Sequence, residues 1–357
     1  MVVQRAAFPC RVGGSASTLD PRDDVLAVGG REVDWLDVDG LTATDDSPVR
    51  LTLRLADGDV LEVDHLAGRG DECAAVVREL RGRTRRAALA QSVAAPLASY
   101  VSRGPDGAVS DVHLFAHAVI VEPRADALPV HVPLPLVREV VREGWALTLR
   151  CRGIDDLVVR GLGPRTDEFE QQLARARTAL GAATREALAG YEPALAGLAL
   201  ADGWPVPAAE AGAHGPALVA RWSTGTRAAE VEALRGLTGE QGMRYGIWTE
   251  GGTTALPFVL ASSGAGARSR VAVEAVEADD RATFVFGTDD VERLAAALVL
   301  SAFRREVLSL PDRDLGRWAV AVRTQPHVRW AREALVARVV HDARWREQVS
   351  AAMTASA

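Results

Sequence analysis

The residues with the most evident chemical potential are five arginines, Arg78, Arg81, Arg83, Arg85 and Arg86, the densest basic stretch of the chain. Guanidinium groups at that density can dock an acidic protein, an anionic membrane surface or a nucleic acid. They can equally be a solvated helix end whose cations complement the dipole. Glu79 lies four residues before Arg83, a spacing that pairs opposite charges on one helical face. No aromatic residue between Trp35 and Tyr100 supplies a stacking platform for bases.

Other chemistries are narrowed by what is missing. The sequence has no Lys and no Asn, so all 41 basic residues are Arg. This composition reads as GC-rich bacterial codon usage, and it excludes Schiff-base, Walker-loop and lysine general-base chemistry. There is no Gly-x-Ser-x-Gly elbow and no His-Glu-x-x-His. The acidic pairs Asp23-Asp24, Asp45-Asp46 and Asp155-Asp156 are adjacent, which on a strand points them to opposite faces, so they read as turn residues. Gly161-Leu162-Gly163 follows a strand and precedes a helix but lacks the third glycine of a dinucleotide fingerprint. His327 and His341 stand 14 residues apart without a third ligand in register, so neither is read as a metal ligand. Cys10, Cys73 and Cys151 are too few for a disulfide framework and fit a reducing cytoplasm. No cofactor is expected.

The elements that would position these groups come from an internal repeat. Residues 49–84 align without a gap on 145–180, at an offset of 96, with twelve identities. Among them are Leu51 with Leu147, Leu53 with Leu149, Val63 with Val159, Leu66 with Leu162, Arg69 with Arg165, Asp71 with Asp167, Glu72 with Glu168 and Arg81 with Arg177. Each copy predicts strand, turn, strand and helix. Leu51, Leu53 and Leu55 alternate with polar residues, Asp57-Gly58 turns the chain, and Leu61 and Val63 resume the alternation. Asp71 should then cap a helix whose inner face is Cys73, Val76, Val77 and Leu80. In the second copy the helix carries Phe169, Leu173 and Ala176. Val25 to Val28 and Val33 to Leu41 supply earlier strands for the first copy, and His113 to Val121 and Val130 to Val137 for the second.

The domains expected are unit 1 at 23–92 and unit 2 at 108–190. A helical linker at 191–244, a diverged third unit at 245–310 and C-terminal helices at 311–357 complete the chain. Residues 1–22 read as a loose arm, and Pro96 to Gly107 as a link. The fold class is α+β.

The hairpin with its closing helix, at Val49–Leu66 with Asp71–Arg81 and again at Trp145–Leu162 with Asp167–Arg177, resembles the pleckstrin-homology (PH) superfold. It is similar to the tandem PH modules of the histone chaperone FACT and to bacterial PH-like proteins. That resemblance implies two, and with the third unit three, antiparallel β-barrels, each plugged by its C-terminal helix. Phosphoinositide-binding members carry basic residues on the first hairpin. Here Val25 to Asp34 is acidic, which argues against a phosphoinositide ligand.

A net charge of −7 argues against general nucleic-acid affinity. The N-terminus has no leader-like pattern, and the longest apolar helical run, Leu294 to Phe303, is half a membrane span. The expectation is therefore a non-enzymatic cytoplasmic scaffold that binds a protein partner. Arg78, Arg81, Arg83, Arg85 and Arg86 are its candidate contact residues. A membrane-surface or nucleic-acid module acting through the same cluster, and an enzyme with an unrecognised site, are the alternatives.

Overall fold

In the computed structural model, which describes residues 7–44, 48–90, 95–104, 107–124, 127–193, 202–207, 227–249, 255–264, 269–276 and 281–355, the first ninety residues build one antiparallel sheet. Its strands are β1 (Phe8–Val12), β2 (Ser15–Pro21), β3 (Val25–Val28), β4 (Arg31–Asp34), β5 (Val38–Ala43), β6 (Leu51–Leu55) and β7 (Val60–Asp64). They run in the order β4-β3-β2-β1-β7-β6-β5. Helix α1 (Gly70–Leu89) follows, and its Cys73, Val77 and Leu80 join Leu51, Leu53, Val63 and the fully buried Trp35 in one core.

Unit 2 repeats the plan. Strands β8 (Ala98–Arg103), β9 (Val109–Leu114), β10 (Ala118–Pro123) and β11 (Val130–Pro133) form one sheet, and β12 (Val137–Glu143), β13 (Ala146–Cys151) and β14 (Leu157–Val159) a second. Helix α2 (Thr166–Tyr191) places Phe169, Leu173 and Ala176 against Leu147, Leu149 and Val159. The hairpins share a register: Leu51 faces Val63 and Leu53 faces Leu61, as Leu147 faces Val159 and Leu149 faces Leu157.

The charged identities of the repeat are explained inside each unit. Arg81 donates to the carbonyl of Val38 at 2.9 Å and to that of Asp39, just where β5 shifts register against β6. Arg177 does the same in unit 2, donating to Val137 at 2.9 Å and Arg138 at 3.3 Å, where β12 shifts against β13. Each helix thus satisfies the carbonyls that a bulge frees from the ladder. Arg69 pairs with Glu72 and lies 4.4 Å over the Phe8 ring, and Arg165 pairs with Glu168 and lies 4.3 Å over Tyr100. Asp71 and Asp167 sit in the first helical turn, where their charge suits the dipole, but neither helix has a side-chain cap bond.

Three boundaries differ from the sequence expectation. The supposed arm holds β1 and β2, joined at Gly13-Gly14, whose φ of +56° and +81° suits a tight hairpin. The supposed link between units holds β8. Both were obscured because few residues in them point inward: Phe8 and Cys10 in β1, Leu19 and Pro21 in β2 and Tyr100 in β8. The C-terminal region is not all helical, since β20 (Leu335–Val340) is a strand.

That strand closes a third sheet, which also contains β15 (Val206–Pro207), β16 (Met243–Thr249), β17 (Ala255–Ser262), β18 (Val271–Ala275) and β19 (Ala282–Phe286). Its order, β15-β16-β17-β18-β19-β20, is a simple meander unlike the order in units 1 and 2, and it draws strands from both flanking stretches that were expected to be helical. Helices α3 (Ala228–Thr238), α4 (Val291–Leu300), α5 (Ala319–Thr324), α6 (Pro326–Ala334) and α7 (Trp345–Thr354) accompany it. On one face Phe258, Val273, Phe284 and Phe286 pack with Leu294 and Leu298 of α4. On the other, Tyr245, Ile247 and Val259 pack with Leu234 of α3, Val349 of α7 and Leu188 of α2. The acidic pair Asp45-Asp46 and half of the expected linker at 191–244 lie outside the described residues.

The three parts are welded together. Gly153, at the β13–β14 turn, has φ +65° and approaches α4 so closely that an added Cβ would lie 2.4 Å from the Glu292 carbonyl. The end of α1 (Ala88, Leu89), Phe115 and Ile120 of unit 2, and Val320 and Ala321 of α5 share a small core of their own.

Candidate functional site

The structure separates the five arginines of the cluster. Arg81 is committed to β5. Arg83 bonds the Asp23 carboxylate at 2.7 Å and its carbonyl at 3.2 Å. Arg86 crosses to unit 2, where it meets the half-buried Glu122 at 2.7 Å, with Glu79 at 3.9 Å. Arg85 is 5% exposed and engaged within the fold. Arg78 alone of the five is exposed and, among the described residues, unpaired. Arg78, Arg81 and Arg86 do line a groove of about 220 Å³ between α1 and unit 2, but Glu79, Asp111 and Glu122 share it. The expected Glu79–Arg83 pair gives way to Arg83–Asp23 because the helix packs beside the β2–β3 turn.

A larger cleft, of about 500 Å³, lies between unit 1 and the C-terminal domain. One wall is β4 together with Asp37 and the β6–β7 turn, contributing Leu55, Ala56 and Asp57. The other is the segment leading into α5, with Asp312, Arg313, Leu315, Ala319, Val322 and Arg323. Arg323 fixes the second wall to the first: it reaches Asp39 at 2.9 Å and donates to the Leu36 carbonyl. The floor is apolar, because Val33, Leu55, Leu315 and Val322 are buried in their cores.

The rim is charged and largely self-paired. Arg31 bonds Asp57 and Asp59, both at 2.8 Å, Arg22 bonds Glu32 at 2.7 Å, and Arg332 bonds Asp312 at 2.8 Å. Among the described residues Asp34 accepts from the Leu36 backbone alone, at 2.8 Å. Burial pushes the Asp37 carboxyl upward, and the carboxylates of Asp34, Asp39 and Asp57 push it the same way against the pull of Arg323.

Elsewhere several reactive side chains are enclosed. Glu274, fully buried, accepts from Thr283, whose hydroxyl in turn accepts from the Trp345 indole at 2.8 Å. His341 Nε2 lies 3.1 Å from both Glu274 and Thr283. A hydrolytic relay needs its acid and its hydroxyl on opposite ring nitrogens. Here both share one, so the cluster ties β18, β19 and α7 together. Burial pushes the thiols of Cys73 and Cys151 up to about 12 and about 11, leaving them protonated and inert. His327 is half-buried, and burial lowers its pKa. Asp202 is buried against Thr249 and its carboxyl is pushed up to about 7 by burial.

Sequence reasoning missed the cleft entirely. Its walls lie about 280 residues apart in the chain, and no local pattern links them. No protein-family model matches the chain, and no curated protein matches it either. No helix among the described residues is long and apolar enough to cross a membrane.

Proposed function

We propose that this chain is a non-enzymatic cytoplasmic scaffold in which two tandem PH-like units are mounted on a third α+β domain, and that a protein partner docks in the cleft beside β4. The PH-like assignment is supported by the strand order of unit 1, by its four-plus-three counterpart in unit 2, and by the closing helix of each. The observation that carries the docking assignment is the composite cleft: a free sheet edge of unit 1 faced by a segment that belongs to the C-terminal domain. Open sheet edges are standard acceptors of partner strands. A reading through Arg78 to Arg86, by contrast, would have to break the bonds that Arg81, Arg83 and Arg86 make within the fold.

The test is co-purification from the source cells with two variants. Ala56 is exposed at the cleft, so Ala56→Trp should fill it and release the partner, while Arg78→Ala should retain it. Retention by Ala56→Trp, or loss on Arg78→Ala, would move the site away from the cleft.

A further inference from the structure

Resting on that assignment of the cleft, we propose that its occupant is an extended peptide segment alternating arginine or lysine with apolar residues, added as a new strand along the free edge of β4. Three observations converge on this chemistry. First, β4 ends its sheet: among the described residues it pairs with β3 alone, and all four of its residues line the cleft. An edge strand presents unpaired backbone donors and acceptors that a further strand can satisfy.

Second, the surface offered to that strand has two characters. Val33, Leu55, Leu315 and Val322 form an apolar floor, and carboxylates stand at the rim. Successive side chains of a strand point to opposite sides, so a segment with alternating apolar and polar residues meets both at once.

Third, the charge is unbalanced. Five carboxylates line the cleft, and three of them already hold a guanidinium: Asp57 pairs with Arg31, Glu32 with Arg22 and Asp312 with Arg332. Arg31 is held by Asp59 as well and Arg323 by Asp39, while Arg313, its side chain 85% exposed, lies 3.8 Å from Asp314. Among the described residues Asp34 and Asp37 make no ion pair, although Arg323 is near enough to Asp37 to pull its carboxyl downward. A cation between them would relieve the mutual repulsion that helps raise Asp37. An acidic segment would add to that repulsion, as would a nucleic acid or an anionic membrane. The chain's net charge of −7 favours encounter with basic segments in the same sense.

The probe is a fluorescein-labelled peptide alternating arginine and valine, followed by anisotropy on the full chain. The expected result is saturable binding that falls about tenfold in the Asp34→Asn/Asp37→Asn variant, the sum of two partly exposed ion pairs. Asparagine at position 34 can still accept from Leu36, so the variant keeps its turn. Ala56→Trp, which occupies the cleft without touching a charge, should abolish binding. Methylating alternate peptide nitrogens should abolish it too, because strand addition needs those donors. The inference is overturned by undiminished binding to either variant, by equal binding of a glutamate–valine peptide, by tolerance of N-methylation, or by no binding. In that last case, loss of the cellular partner on Ala56→Trp would leave the docking assignment standing and discard only this occupant.

Discussion

Replacing Asp202 by Asn should remove one component of the pH dependence of stability. Asp202 is 6% exposed, and both its oxygens are held by Thr249, one by the backbone N–H at 2.6 Å and one by the hydroxyl at 2.8 Å. These bonds favour the charged form, but burial outweighs them and lifts the carboxyl from its ordinary 3.8 to about 7. The folded protein therefore holds a proton between those limits that the unfolded chain has released. Stability should fall as pH rises through that window, by about 1.4 kcal/mol per unit, to a total of up to about 4 kcal/mol, and then stay level above pH 7. Asparagine is neutral throughout and can preserve both contacts, accepting from the Thr249 N–H and donating to its hydroxyl. In urea unfolding at pH 5 and pH 8, Asp202→Asn should gain on the parent by about 3 kcal/mol more at pH 8 than at pH 5. Every other titrating group cancels in that comparison. An equal gap at both pH values would show that Asp202 is ionised in the native state and that its burial has been misjudged.

Three further outcomes are expected. Leu53→Ala and Leu149→Ala, equivalent and fully buried in their cores, should each lose about 2 to 5 kcal/mol in denaturant titrations; an unchanged midpoint for either would contradict the shared register. His113 and His131 flank Ile120 in the seam between units, and burial pushes them down to about 4 and about 3. Their contribution is complete above pH 6.5 and is lost on acidification, at about 1.4 kcal/mol per unit each, so His131→Gln should shallow the acid limb of a melting-versus-pH curve, and an unaltered limb would refute this. Gly153→Ala, which forces a Cβ against the Glu292 carbonyl at a positive φ, should destabilise by more than about 1 kcal/mol and speed proteolytic separation of unit 2 from the C-terminal domain; unchanged proteolysis would show that this contact does not hold the two together.

Periodicity made the repeat legible because Leu51, Leu53, Leu147 and Leu149 alternate with polar neighbours and both copies keep the same spacing to their helices. It failed at β1, β2 and β8, where only one or two side chains per strand turn inward and the local pattern is mostly small or polar. It failed again at β20, where Leu335 and Val339 fit a helical spacing as well as a strand, and the open edge of β19 decided between them. The arginines were the least legible residues. Arg81 and Arg177 look like surface charge in sequence, yet they bond edge-strand carbonyls some forty residues earlier. The candidate site could not be read at all, since β4 and the α5 segment meet only when the whole chain is assembled.

The most direct test of the docking assignment is site-specific photo-crosslinking in the source cells. A benzophenone amino acid at position 313, on the exposed rim of the cleft, should form one covalent adduct with a protein, linked through an extended, basic segment. The same probe at position 78 should form none. An adduct from position 78 with none from position 313 would contradict the account and return the function to the arginine-bearing face of α1.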